Sequence, residues 1–161
     1  TYYKEAQIIL QKLYHSYPDN LYFSLALAEI LIKSNQSETA IAMLKDLFRL
    51  NPGNDSITMA YAKALFTNNQ VKKALDIIYE HLPNVEKEPS IYELMAEVQA
   101  KDGLYKEVHE STGLFLYYSG DLQGALTQFK MAMNGRSSDP YFNARLLARI
   151  RNVQKEILDT R

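Results

Sequence analysis

Residues 21–54, LYFSLALAEILIKSNQSETAIAMLKDLFRLNPGN, and residues 55–88, DSITMAYAKALFTNNQVKKALDIIYEHLPNVEKE, are two copies of one 34-residue unit. In the first copy a small residue is followed by apolar residues four and seven places on, as Ala40, Leu44 and Leu47, and Pro52 closes the segment. The same features stand one unit earlier as Ala6, Leu10, Leu13 and Pro18, and one unit later as Ala74, Ile78 and His81, with the proline advanced to Pro83. The preceding segment repeats too: Leu27, Ala28 and Leu31 correspond to Tyr61, Ala62 and Leu65, and the small residue recurs as Ala96. Apolar positions three and four apart share one helical face, so each unit reads as two amphipathic helices. A recurrence of this length marks a helical-repeat architecture.

The turns keep the same step. Asn35, Asn69 and Gly103 lie 34 apart, and each is a residue type that tolerates the left-handed conformation in which many helices end. Then the spacing halves: Gly120 follows Gly103 by 17, and Ala125 lies one and a half units after Ala74. Such a shift inserts one extra helix, from about Leu104 to Tyr118, which closes one pair and opens the next; Gly113 holds in it the small-residue position of Ala28 and Ala62. The expected fold is all-α, a right-handed α-solenoid of antiparallel helix pairs. It has nine helices, over about 2–16, 20–34, 37–50, 54–68, 71–82, 89–102, 104–118, 121–134 and 139–159. Asp19 or Asn20 is expected to cap the second helix, Ser37 with Thr39 the third, Pro89-Ser90 to start the sixth, and Ser137-Ser138-Asp139-Pro140 the last.

As one domain over 1–161, the chain divides into the second helix of a truncated repeat (1–20), repeats at 21–54 and 55–88, and a repeat at 89–120 that is degenerate at Val108 and shares a helix with the next. A final repeat helix (121–134) and a long C-terminal capping helix (135–161) complete it. With 161 residues, 47% of them hydrophobic and 23% charged, the chain is large enough to hold a core without disulfides or metal. The absence of cysteine excludes thiol catalysis and cysteine-zinc sites. A net charge of −1 provides no basic field for nucleic acid, and no apolar run is long enough to span a membrane. Because residues 2–16 read as the second helix of a pair, the chain is expected to be the C-terminal part of a larger polypeptide.

A 34-residue helix-turn-helix unit with small residues where helices approach, and proline after the second helix, resembles the tetratricopeptide repeat (TPR) family over nearly the whole chain. It departs from that pattern at Ser24 and Thr58, which stand where the consensus often has tryptophan, and at Val108. A narrower likeness lies in Gly103-Leu104-Tyr105 through His109, in Tyr117-Tyr118-Ser119-Gly120-Asp121-Leu122 with Ala125-Leu126, and in Asp139-Pro140-Tyr141-Phe142, Ala144-Arg145 and Ala148-Arg149-Ile150. These residues resemble the C-terminal repeat domain of bacterial periplasmic zinc metalloproteases of the β-barrel assembly-enhancing type. The resemblance implies a periplasmic, non-catalytic interaction domain that packs on an upstream HExxH zinc peptidase domain. Its implied partners are outer-membrane assembly proteins and their substrates. Zinc would belong to the peptidase domain; no cofactor is expected in this chain.

Local chemistry agrees with a non-catalytic reading. His109-Glu110 begins a metal-binding pattern, but Gly113 stands where the second histidine belongs, so His109 reads as a packing or surface residue. His15 and His81 are isolated. Asp121 reads as a helix cap, and the glycosylation triplets Asn35-Gln36-Ser37 and Asn54-Asp55-Ser56 read as turns.

Function is therefore sought on surfaces. Stepping along the first helix of each pair gives Tyr22, Leu25, Glu29 and Lys33, then Ser56, Met59, Lys63 and Phe66, then Ser90, Glu93, Glu97 and Lys101 as candidate positions on a concave face. Such a mixed groove suits an extended peptide or a partner helix. The alternative for Leu25, Met59 and Phe66 is partial burial by the adjacent pair. Glu29, Glu93 and Glu97 in the same stripe argue against a basic clamp for a chaperone's terminal carboxylate. Tyr105, Tyr117, Tyr118 and Tyr141 suit either interfaces or the core. From Asn134 onward the charge is +3 against about −4 for the rest, with Arg145, Arg149 and Arg151 as a candidate basic docking face or a solvated terminal helix. The alternative to the protease-associated domain is a stand-alone TPR adaptor in a bacterial secretion or pilus assembly system.

Overall fold

The computed structural model describes residues 2–82, 88–134 and 139–159. The chain divides into two compact units, Thr1–Asn84 and Val85–Arg161. The first holds α1 (Tyr2–Ser16), α2 (Leu21–Lys33), α3 (Ser37–Leu50), α4 (Asp55–Thr67) and α5 (Val71–His81); the second holds α6 (Pro89–Lys101), α7 (Tyr105–Tyr118), α8 (Leu122–Met133) and α9 (Pro140–Asp159). Among the described residues there are thus nine helices and no strand, each starting and ending within two residues of its expected limits. Pro83, Arg136, Ser137, Ser138 and Arg161 lie outside the described residues.

In the first unit each helix packs on the next in sequence, and α2 also packs on α4. In the second, α7 packs on both α6 and α8, and α9 packs on α8. The inserted helix therefore closes one pair and opens another, as the halved spacing requires.

Four joints share one geometry. Asn35, Asn69, Gly103 and Gly120 all have positive φ, between 60° and 90°. In the first, Asn35 N–H donates to the Ile32 carbonyl and Gln36 N–H to the Leu31 carbonyl, the paired bonds that close a helix on a left-handed residue. The other three repeat that pair of bonds at Asn69 and Gln70, Gly103 and Leu104, and Gly120 and Asp121. The residue after each left-handed position then opens the next helix: the carbonyls of Gln36, Gln70, Leu104 and Asp121 accept from the N–H groups of Ala40, Ala74, Val108 and Ala125. One residue thus serves two helices.

This joint explains a departure from expectation. Ser37 is the first residue of α3 and does not cap it; Gln36 holds the cap position and makes no side-chain cap bond. The left-handed closure fixes which residue sits there, leaving no room to shift the start to a better capper. The expected caps hold elsewhere. The side chain of Asn20 accepts from Tyr22 and Phe23 N–H, that of Asp121 from Gly124 N–H and that of Asp139 from Tyr141 N–H. Asn54 caps α4 in the register of Asn20, accepting from Ile57 N–H.

Burial follows the small-residue ladder. Ala40, Leu44, Ala74 and Ile78 are fully enclosed, whereas Ala6, Leu10 and Leu13 in α1 are half-buried and α1 has no fully buried residue. Ser24 and Thr58 are completely buried, and each hydroxyl donates to the carbonyl of the cap residue four before it, Asn20 or Asn54. Each buried hydroxyl is thus satisfied within its own helix turn.

Gly113 lets the Phe129 ring pack directly against α7: a Cβ there would stand 2.5 Å from a ring carbon of Phe129, which is itself buried. Urea denaturation should show Gly113→Ala losing about 1–2 kcal/mol, the overpacking outweighing the helix propensity that alanine adds. Adding Phe129→Leu should relieve part of that loss, giving a coupling of about 1 kcal/mol. Gly103→Ala, whose Cβ would meet nothing within 4 Å, should lose about 1–2 kcal/mol from the left-handed backbone alone.

Candidate functional site

The first unit carries an open groove of about 500 Å³ between α2 and α4, with Leu44 of α3 contributing to its lining. From α2 come Tyr22, Leu25, Ala26, Ala28, Glu29, Ile32 and Lys33; from α4 come Ser56, Ala60, Lys63 and Thr67. The two walls are related by the repeat: Ala26 corresponds to Ala60 and Glu29 to Lys63, each 34 residues apart. Alanine at both equivalent positions leaves space between the helices. The surrounding Leu25, Ile32 and Leu44 make that space apolar.

Tyr22 stands 75% exposed on the groove and makes an edge contact with Phe23. Lys33 Nζ lies 2.6 Å from Glu29 Oε1, one helical turn apart. The hydrogen bond and the negative charge of Glu29 raise the Lys33 pKa above the ordinary lysine value. Lys63 has no such partner for its ammonium among the described residues; its backbone carbonyl accepts from the Thr67 hydroxyl.

The structure thus brings Tyr22, Leu25, Glu29, Lys33, Ser56 and Lys63 to one groove. Met59 and Phe66 are half-buried and do not line it; the α4 wall runs through Ala60 and Thr67 instead. Glu93 and Glu97 are placed on α6 in the second unit, as are Ser90 and Lys101. Ala26, Ala60 and Ile32 were outside the sequence-based set. Their signal was the pairing of alanines at 26 and 60 beside the packing alanines at 28 and 62.

The arginines of α9 are placed differently from an open basic face. Arg145 grips the buried Glu110 of α7 with two bonds, Nε to Oε1 and Nη2 to Oε2, both 2.7 Å, and Arg149 Nε adds a third at 3.1 Å. The Glu110 side chain is 8% exposed, against 50% for Arg145 and 31% for Arg149. A forked guanidinium matches a carboxylate in this way, and two cations offset the cost of burying the acid. Arg145 also lies over the Phe142 ring, 5.3 Å from its centre. Arg151 is exposed. Two of the three arginines therefore serve the attachment of α9 to α7.

A second tie runs beside the first. The Tyr117 hydroxyl donates to Glu156 Oε1 at 2.5 Å. Donation to that carboxylate, with burial and its negative charge adding in the same direction, pushes the phenol pKa up to about 12. Tyr118 stacks on Tyr92, centres 5.4 Å apart, and meets Tyr117 edge-on. Tyr105 and Tyr141 stand exposed.

Each histidine has a hydrogen-bond partner. His109 Nδ1 is 2.8 Å from Gln128 Oε1, and the buried His81 Nε2 is 2.9 Å from Asp55 Oδ1. His15 is exposed and bonds the Gln11 carbonyl. Among the described residues no group of three or more His, Cys, Asp or Glu side chains is arranged to hold a metal ion, and no helix is long and apolar enough to cross a membrane.

Nine helices among the described residues, with left-handed turns at four of their joints spaced by 34 or 17 residues, define an all-α protein of the TPR-like helical-repeat class. Solved structures share the fold. MamA superposes with a TM-score of 0.65 at 14% identity, covering 98% of this chain and 90% of that one. A thermophilic TPR protein of Thermus thermophilus gives 0.58 at 15% identity, covering 92% and 90%. A chain of the APC/C hetero-tetramer Cut9–Hcn1 gives 0.55 at 12% identity, covering 96% of this chain and 34% of its own length. Residues 11–143 match the FAT domain, and the chain belongs to the FAT domain family. No curated protein matches it in sequence.

The Tyr117 bond sets a pH dependence. Its folded pKa lies above the ordinary 10.0, so its stabilisation is complete below pH 10.0 and is lost as pH rises through about 12. Spectroscopic titration should show an ionisation near 12 that Tyr117→Phe removes. The stability advantage of the parent chain over that variant should shrink across the same window.

Proposed function

We propose that this chain is a non-catalytic protein-interaction domain that takes an extended peptide or a partner helix in the α2/α4 groove. The observation that carries this reading is the groove itself, with its two alanine-lined walls, its apolar floor and a rim bearing charges of both signs. Its volume falls in the range of ligand sites, roughly 300–1,000 Å³. A few apolar anchors seated there would supply most of the affinity, and the polar rim would set register. TPR-like repeat folds typically serve protein–protein interaction, which supports the same reading.

The narrower assignment rests on the resemblance of residues within 103–150 to the C-terminal repeats of periplasmic zinc metalloproteases. On that reading the domain works in the periplasm, packs on a peptidase domain that carries the zinc, and recruits substrates or outer-membrane assembly proteins. It has no cofactor and no nucleic-acid partner of its own. The coding sequence upstream of Thr1 tests it: an HExxH motif behind a signal peptide is the expected finding, and any other upstream domain removes the assignment.

Peptides selected from a displayed random library against this chain should lose binding to Ala60→Arg, which fills the groove, and keep it on Arg151→Glu. Peptides indifferent to Ala60→Arg would place the binding surface elsewhere.

A further inference from the structure

Resting on the groove reading, we infer that the segment bound between α2 and α4 is acidic as well as apolar, carrying a carboxylate beside its apolar anchor that pairs with Lys63. The argument is charge complementarity. Three charged side chains line the groove, Glu29, Lys33 and Lys63. Glu29 and Lys33 neutralise each other across 2.6 Å on the α2 wall. The ammonium of Lys63, on the opposite wall, has no hydrogen-bond or ion-pair partner among the described residues. The groove therefore presents one uncompensated positive charge next to apolar surface.

That arrangement discriminates among ligands. A neutral apolar segment seated beside Ala60 would strip water from the Lys63 ammonium and return nothing, which is costly for a charge. A basic segment would add repulsion. A carboxylate placed next to the anchor instead accepts a charge-assisted hydrogen bond while the anchor fills the space that Ala26 and Ala60 leave open. The repeat relation matters: the position that is Glu29 on α2, paired with Lys33, is Lys63 on α4, so the uncompensated charge lies on the α4 wall alone. This fixes the direction of a ligand whose acid lies to one side of its anchor. It also rejects basic partners by leaving their charges unpaired.

The test uses the full chain and the fluorescein-labelled peptide Gly-Ser-Leu-Glu-Glu-Leu-Leu-Ser-Gly, with versions in which both glutamates are glutamine or lysine, followed by fluorescence anisotropy. The glutamate peptide should bind about threefold to fivefold tighter than the glutamine one, a range set by an exposed ion pair, and the lysine peptide weakest. Lys63→Glu, an exposed substitution that leaves the core untouched, should reverse the order, weakening the glutamate peptide about tenfold. Ala60→Leu should abolish binding of all three. Equal affinity for the three peptides, with all lost in Ala60→Leu, overturns the charge preference and leaves the groove reading standing. No binding by any peptide overturns both. Self-association seen by sedimentation and abolished by Ala60→Leu would assign the groove to a second copy of the chain and overturn the proposal.

Discussion

Each left-handed joint is a backbone residue shared between two helices. A helix ends with carbonyls that have no partner and begins with N–H groups that have none. Gln36, Gln70, Leu104 and Asp121 each donate back to the finishing helix and accept from the starting one. The shared residue ties the end of one helix to the start of the next within a single peptide step, so the two must turn back sharply on each other. It also sets the phase of the new helix. The residue whose N–H it accepts is the fourth of that helix, and in three of four cases it is a buried alanine. The small-residue period and the turn period are one constraint seen from its two ends. At Val108, the exception, the larger side chain is only half-buried.

Constraints of this kind are visible in a sequence because they act through residue type at a fixed offset. A positive φ excludes most side chains, which is why Asn35, Asn69, Gly103 and Gly120 are conspicuous in the sequence alone. Close helix approach excludes large ones, which marks Gly113 and the alanine ladder. Long-range polar pairs have no such period. Glu110 meets Arg145 and Arg149 across 35 and 39 residues, and His81 meets Asp55 across 26. Nothing at either end announces the other. Glu110 beside His109 even has the look of a metal motif, when its partners are two arginines on another helix. The groove was half legible for a related reason. On α2 the stripe Tyr22, Leu25, Glu29, Lys33 follows one face throughout, but on α4 the lining passes through Ala60 and Thr67 where helical stepping alone allows Met59 and Phe66 equally.

The basic character of α9 shows how charge counting misleads when side chains are long. Phe142, Leu146 and Val153 give α9 its buried face, and α9 packs on α8. Its reach to α7 is made by polar ends: the guanidinium groups of Arg145 and Arg149 on Glu110, and Glu156 beneath the Tyr117 hydroxyl. A buried carboxylate with one cation removed would be left poorly compensated, so the pair of arginines specifies where α9 lies more than it adds to net stability. Part of the positive charge counted in the sequence is therefore neutralised inside the molecule.

Two sets of alanines in the first unit differ in burial. Ala28 and Ala62 are fully buried and let neighbouring helices approach, whereas Ala26 and Ala60, two residues earlier, are only partly covered. Positions two apart on a helix point about 200° away from each other, so they face nearly opposite sides. Alanine has a different effect on each side. At 28 and 62 its smallness lets the neighbouring helix close in, with Ala28 still bordering the groove; at 26 and 60 the same smallness leaves a hollow that Leu25, Ile32 and Leu44 make apolar. A larger residue at 28 or 62 would push the helices apart, while one at 26 or 60 would enter the hollow. The fold and the groove therefore meet at Ala28, which is buried between helices and also borders the hollow, and one 34-residue period writes them both.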